Sequence, residues 1–93
     1  MLLTGKNAVI TGGGTGIGLS IARTLAEQGC NVAVTGRRLN VLEEAAKSFG
    51  GHAVKMDVSD EASVVTGMQS IADYFGSIDI CVANAGIAEG QNI

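Results

Sequence analysis

The feature that most restricts the fold of this chain is a regular alternation between short strand-like segments and longer helix-like segments. The predicted strands are rich in Val, Ile and Ala, and they cover residues 8–11, 32–35, 53–56 and 78–83. Because helical stretches of about 10 to 15 residues separate them, the strands are expected to run parallel and to be joined by right-handed crossovers. The sequence therefore predicts an α/β fold with helices on both faces of a parallel sheet.

Each predicted helix carries one apolar face. The first begins near Gly16, places Ile17, Ile21 and Leu25 at steps of four, and ends before Gly29. These side chains, with Ala22 and Ala26 beside them, form one apolar face.

The second and third helices also end at glycines. The second covers residues 39–49 and is followed by Gly50 and Gly51. The third begins after Asp57-Val58-Ser59-Asp60, where we expect Ser59 to be the N-cap, and it ends before Gly76.

Composition and charge limit the classes of partner. The chain has 93 residues, enough for one small domain, and its 46% hydrophobic content without proline is typical of a globular chain. A net charge of −3 gives no general attraction for nucleic acid or an anionic membrane. The longest apolar stretch, residues 78–88, is shorter than the roughly 20 residues that a membrane span needs, and the N-terminus has no secretory pattern. We therefore expect a cytoplasmic protein.

Two cysteines and one histidine offer no metal site. Cys30 and Cys81 lie far apart, in neither a metal-binding nor a redox spacing, and His52 opens a short strand. We predict no metal ligand among them.

A glycine-rich loop joins the first strand to the first helix. Its sequence is Thr11-Gly12-Gly13-Gly14-Thr15-Gly16-Ile17-Gly18. Backbone N–H groups and the positive end of the helix dipole meet there, so the loop can bind an anion such as a pyrophosphate, although a merely flexible loop is the alternative. A nucleotide-hydrolysing P-loop would need lysine after Gly18, where this chain has Leu19. The Gly-x-Gly-x-x-Gly pattern also fails, which leaves Gly-x-x-x-Gly-x-Gly.

The motif Thr-Gly-x-x-x-Gly-Ile-Gly resembles the signature of the short-chain dehydrogenase/reductase family. Two later motifs agree with it: Asp57-Val58 after the third strand, and Ala83-Asn84-Ala85-Gly86 at the end of the fourth, where Ala83 replaces the family's first asparagine. The resemblance implies a Rossmann-type doubly wound sheet, of which residues 1–93 supply the first four strands and three helices of a single NAD(P)-binding domain.

The resemblance also implies roles for individual residues. Asp57 would accept a hydrogen bond from the adenine amino group, Asn84 would steady the central strands, and Thr11 would hydrogen-bond to the fourth-strand segment. The candidate cofactor-binding residues are Gly12, Gly14, Thr15, Gly16, Ile17, Gly18, Gly36, Arg37, Arg38, Asp57, Val58, Asn84, Ala85 and Gly86.

The end of the second strand predicts the choice of cofactor. NAD-binding folds place a carboxylate there for the ribose hydroxyls, whereas this chain has Gly36 followed by Arg37 and Arg38. Guanidinium groups bind a 2′-phosphate, so NADP is favoured over NAD. The alternative is that both arginines are solvated charges at the start of the second helix.

The resemblance implies an NAD(P)-dependent oxidoreductase that transfers hydride between nicotinamide and an alcohol or ketone, in a protein that forms dimers or tetramers. Its catalytic serine and Tyr-x-x-x-Lys pair normally lie beyond position 93. Tyr74 is followed four places later by Ile78, so no catalytic residue is assigned and the segment should be inactive alone. A dinucleotide-binding regulatory or scaffold protein without this chemistry is the alternative.

Overall fold

The computed structural model describes residues 3–14 and 16–84. Its elements are the strands β1 (Asn7–Thr11), β2 (Asn31–Gly36), β3 (His52–Lys55) and β4 (Ile80–Ala83) and the helices α1 (Gly16–Glu27), α2 (Leu39–Lys47) and α3 (Glu61–Phe75). Strands and helices alternate as predicted. Each boundary lies within two residues of the predicted position.

The four strands form one parallel sheet in the order β3-β2-β1-β4. In its register Val9 of β1 lies beside Ala33 of β2 on one side and Cys81 of β4 on the other. The chain therefore moves outward from β1 through β2 to β3 and then crosses to the opposite side of β1. This reversal is a topological switch point, the place where open α/β sheets form a crevice at the carboxyl ends of their strands.

Helices cover both faces of the sheet, as predicted. On one face α1 and α2 pack over Ala8, Ile10, Val32 and Val34, and the helices contribute Ala22, Leu42 and Ala46 to this core. On the other face Ile71 of α3 packs over Val9 and Ala33. Both strand faces are therefore buried, which explains why the central strands read as continuous apolar runs.

Two details of α1 and β4 differ from the sequence pattern. Ile17 does not face the sheet: it is 68% exposed, while Ala22 in the middle of the helix is fully buried. The first turn of α1 lies beyond the carboxyl end of β1, so there is no strand below Ile17. The strand β4 begins at Ile80 and not at residue 78, because the Asp79 carboxylate accepts a hydrogen bond from the N–H of Asn7 at 2.8 Å before regular pairing starts.

The N-cap of α3 is Asp60, and the prediction of Ser59 was wrong. Asp60 Oδ1 accepts hydrogen bonds from the N–H groups of Ala62 at 3.1 Å and Ser63 at 3.4 Å. Ser59 instead directs its hydroxyl to the carboxylate of Asp57. Asp60 directly precedes the first helical residue, which is the position that a capping side chain requires.

Within the described part of the chain, every helix is too short or too polar to cross a membrane.

Candidate cofactor-binding site

The glycine loop is folded tightly against the end of β2. Gly12 and Gly16 have φ angles of +70° and +59°, the left-handed region that favours glycine. The N–H groups of Gly12 and Gly13 both donate to the carbonyl oxygen of Thr35, at 2.8 and 3.3 Å. The loop is therefore held by hydrogen bonds to the neighbouring strand, which argues against the alternative of a merely flexible loop.

Two glycines in this region allow close packing that a side chain would prevent. A Cβ atom at Gly18 would collide with the carbonyl oxygen of Gly12 and would lie 2.7 Å from Nδ2 of Asn84. A Cβ atom at Gly13 would lie 2.5 Å from Cγ1 of Val34 and 3.1 Å from the carbonyl oxygen of Ile10. Only glycine at these positions lets α1 and the loop approach the strands this closely.

Hydrogen bonds connect the end of β1 to the end of β4. The Thr11 hydroxyl donates to the carbonyl oxygen of Val82 at 3.3 Å and accepts from the N–H of Asn84 at 3.0 Å. The Asn84 side chain, only 5% exposed, donates through Nδ2 to the carbonyl oxygen of Gly12 at 3.2 Å. The predicted hydrogen bond from Thr11 to the fourth-strand segment is confirmed, and Asn84 joins that segment to the glycine loop.

A cleft of about 470 Å³ opens between the glycine loop and the start of α2. It is lined by Gly12, Gly14, Thr35, Gly36, Arg37, Arg38, Val41 and Leu42. Five predicted site residues, far apart in sequence, thus meet in one space. Both arginines are exposed, and none of the described residues that line the cleft carries a carboxylate, so the cleft favours an anion.

Arg38 also occupies the N-cap position of α2, with extended backbone and no side-chain capping hydrogen bond. A guanidinium group carries only N–H donors and cannot accept from the N–H groups at a helix start, so it plays no part in capping α2. The first turn of α2 has no acidic residue, which leaves the positive end of this helix uncompensated beside the cleft.

Asp57 and Val58 lie beside this cleft and not in its lining. The N–H of Met56 donates to the carbonyl oxygen of Gly36 at 2.8 Å, which places Asp57 next to the end of β2. Asp57 Oδ1 accepts from the Ser59 hydroxyl at 2.7 Å and from the Ser59 N–H at 3.0 Å. These two hydrogen bonds, with a smaller contribution from the nearby positive charge of Arg37, hold the pKa of Asp57 below its usual value. Asp57 is therefore an ionised acceptor, and Val58 beside it is 48% exposed.

Sequence reasoning missed several residues of the site. Gly13, Thr35, Val41 and Leu42 were not assigned, although Gly13 holds the loop against Thr35 and the other three line the cleft. Their contacts depend on tertiary packing, which the glycine spacing does not report. The Thr35 hydroxyl is buried and has no hydrogen-bond partner among the described residues. Thr15, Ala85 and Gly86 lie outside the described residues.

The arrangement fits the phosphate-rich end of a dinucleotide. The N–H groups of the first turn of α1 have no partners within the helix and point from its N-terminus, where an anion is stabilised. The glycine loop leaves room for phosphate, and the two guanidinium groups on the other side of the cleft provide positive charge. Among residues 3–14 and 16–84 no group of three side chains is placed to bind a metal ion.

Comparison with known proteins agrees with this geometry. The sequence pattern of the family described as short chain dehydrogenase matches residues 6–93. The NADP-dependent (R)-specific alcohol dehydrogenase of Lentilactobacillus kefiri is 43% identical over 95 residues, which cover 98% of this chain and 38% of the relative.

Two solved structures are similar to the fold. A short chain dehydrogenase from Bacillus anthracis has a TM-score of 0.83 at 34% identity, over 88% of this chain and 35% of the other. A 3-ketoacyl-(acyl-carrier-protein) reductase from Brucella melitensis, in complex with NADH, has a TM-score of 0.81 at 34% identity, over 84% of this chain and 33% of the other. The chain thus spans less than half the length of each of these three proteins. With the glycine loop, the Asn84 bridge and the parallel sheet, these matches show that the chain belongs to the short-chain dehydrogenase/reductase family.

Proposed function

We propose that this chain is the cofactor-binding part of an NAD(P)-dependent oxidoreductase that transfers hydride between nicotinamide and an alcohol or carbonyl compound. The family supports the reaction type, and two of the similar proteins are an alcohol dehydrogenase and a 3-ketoacyl-(acyl-carrier-protein) reductase. The nicotinamide would supply or receive the hydride. The described residues would bind and orient the rest of the cofactor.

The observation that carries the proposal is the joining of the glycine loop and the arginine pair in one cleft. The N-terminal amides of α1 would hold the pyrophosphate, and Gly12 and Gly14 would leave the space that it needs. The ionised carboxylate of Asp57 would accept a hydrogen bond from the adenine amino group, which NAD and NADP share.

The same cleft supports a preference for NADP. Gly36 lies where a carboxylate would otherwise repel a 2′-phosphate, and the Arg37 guanidinium can donate to that phosphate. A hydrogen bond to a charged group contributes about 1.5 to 3 kcal/mol. This is roughly tenfold to a hundredfold in affinity, at about 1.4 kcal/mol per decade.

The test is to measure dissociation constants of NADPH and NADH for the full-length protein and two variants. Arg37→Ala should nearly remove the preference for NADPH. Gly36→Asp should reverse it, because the new carboxylate repels the 2′-phosphate and accepts from the free ribose hydroxyls. A Cβ atom at Gly36 would lie 3.3 Å from Cδ2 of Leu42, the flexible end of a side chain, so a small shift accommodates it.

Arg23→Ala is the matched control. Arg23 is also an exposed arginine, but it lies on α1 and donates to the Ser48 hydroxyl at 3.3 Å, away from the cleft. Its loss should leave both constants unchanged. If the unsubstituted full-length protein binds NADH at least as tightly as NADPH, and Arg37→Ala changes neither dissociation constant, then Arg37 is only a solvated charge.

The remaining expectations concern the whole protein. We propose that it is cytoplasmic, forms dimers or tetramers, and acts on a small alcohol or ketone, as the family resemblance implies. The 93-residue chain alone should reduce no carbonyl compound with either cofactor, because Tyr74 and Ile78 do not form the Tyr-x-x-x-Lys pair. Turnover by the purified chain, followed as oxidation of NADPH, would contradict this.

A further inference from the structure

The helix α3 packs very closely at Gly67 against Met56, the residue that follows β3. This glycine is buried in the middle of the helix. A Cβ atom there would lie 2.7 Å from Sδ and 2.9 Å from Cγ of Met56, which is itself only 2% exposed. Glycine costs a helix interior about 1 kcal/mol relative to alanine, so its presence here indicates a packing requirement.

Met56 connects this contact to the cofactor site. Its N–H donates to the carbonyl oxygen of Gly36, and the next residue in the chain is Asp57. The N–H of Asp57 in turn donates to the Ser63 hydroxyl at 2.9 Å. Ser63 and Gly67 are four residues apart and therefore lie on the same side of α3. The helix thus holds two consecutive residues, Met56 and Asp57, by two contacts one turn apart.

We infer that Gly67 is a positioning residue, which sets the place of Asp57 relative to Gly36 and so controls affinity for the adenosine end of the cofactor. The inference rests on the proposed function. A methyl group at position 67 requires Met56 or α3 to shift, and because Met56 is only 2% exposed its side chain has little room to turn aside, so we expect the shift to reach Asp57. Small displacements of a binding group weaken binding strongly, because its hydrogen bonds depend on geometry.

The central experiment is Gly67→Ala in the full-length protein, with calorimetric titration of NADPH and NADH. Both dissociation constants should rise about tenfold, the scale of one moderate overpacking penalty. Their ratio should not change, because Arg37 and not Asp57 discriminates between the cofactors. Thr66→Ala, an exposed change in the adjacent position of α3, is the control and should alter neither constant.

Met56→Ala in the Gly67→Ala background should restore affinity. It removes the Sδ and Cγ atoms and leaves the Met56 Cβ at 3.3 Å from the new methyl group. Ser63→Ala provides a second route if Gly67→Ala fails to fold, since it removes the hydrogen bond to Asp57 and adds no atom. It should weaken both cofactors by about threefold to tenfold, the value of one hydrogen bond.

A double-mutant cycle separates positioning from general loss of stability. In an Asp57→Ala background, Gly67→Ala and Ser63→Ala should have no further effect on cofactor affinity, whereas a merely destabilising change would act equally in both backgrounds. Unchanged affinity in the single variants, or an undiminished loss in the Asp57→Ala background, would overturn the inference. A parent protein that binds neither cofactor would instead contradict the proposed function itself.

Discussion

Replacement of Gly18 by alanine should disrupt both the packing of α1 and the glycine loop. The new Cβ atom would collide with the carbonyl oxygen of Gly12 and lie 2.7 Å from Nδ2 of Asn84. Overpacking of this kind costs about 1 to 3 kcal/mol. Loss of the 3.2 Å hydrogen bond between Asn84 and Gly12 adds about 0.5 to 1.5 kcal/mol. Alanine regains about 1 kcal/mol of helix propensity. The expected net loss in the free energy of unfolding is therefore about 2 kcal/mol.

Chemical denaturation and cofactor titration on the same preparations would test this. Gly18→Ala should lower the denaturation midpoint and also greatly weaken NADPH binding, because the displaced Gly12 carbonyl moves the loop. Gly50→Ala is the matched control, since Gly50 has a φ angle of +73° and a Cβ atom there would meet no neighbouring atom within 4 Å. It should lose about 1 to 2 kcal/mol from backbone strain alone and keep its affinity for NADPH. A Gly18→Ala protein as stable as the parent, with unchanged affinity, would refute the steric reasoning.

Two further predictions concern stability. Thr35→Val should raise the free energy of unfolding by about 1 kcal/mol, because it removes a buried hydroxyl that has no partner among the described residues. Thr35→Ser keeps that hydroxyl and should not stabilise the protein. Equal denaturation midpoints for the valine and serine variants would contradict this. Asp60→Ala should lower the free energy of unfolding by about 1 kcal/mol through loss of the α3 N-cap, and Ser59→Ala should lower it by less. Chemical denaturation of both variants is the test. A larger loss for Ser59→Ala than for Asp60→Ala would show that Ser59 is the cap.

The order of the elements could be predicted from the sequence because the strands are apolar runs and the helices have one apolar face. The exceptions are positions where the apolar spacing of a helix continues although no strand packs against that residue. Ile17 keeps the spacing of Ile21 and Leu25, but it lies in the first turn of α1, past the carboxyl end of β1, and its side chain is exposed. The choice between Ser59 and Asp60 as N-cap depends on which residue is the first of α3, and the apolar spacing does not determine a helix boundary to one residue.

The parts of the candidate site that could be predicted are those formed by residues close together in the sequence. The glycine loop, the Gly36-Arg37 pair and Asp57 were each recognisable from a short stretch of sequence. In the structure the glycine loop and the Gly36-Arg37 pair line one cleft, and Asp57 lies beside it. Gly13 and Gly67 were not predictable as packing positions, because the side chains that exclude a Cβ atom there, Val34 and Met56, belong to other elements. Such requirements arise only once the chain is folded.

The shared carbonyl oxygen of Thr35 has a consequence for how tightly a ligand can bind. By accepting from both Gly12 and Gly13, it fixes two loop residues during folding. Ordering the backbone of one residue costs about 1 to 2 kcal/mol of conformational entropy. A ligand that enters a preorganised loop does not bear that cost, so more of its contact energy remains as affinity. The affinity for a ligand in this cleft would thus depend in part on the pairing of β1 with β2, because that pairing holds the Thr35 carbonyl oxygen beside the loop.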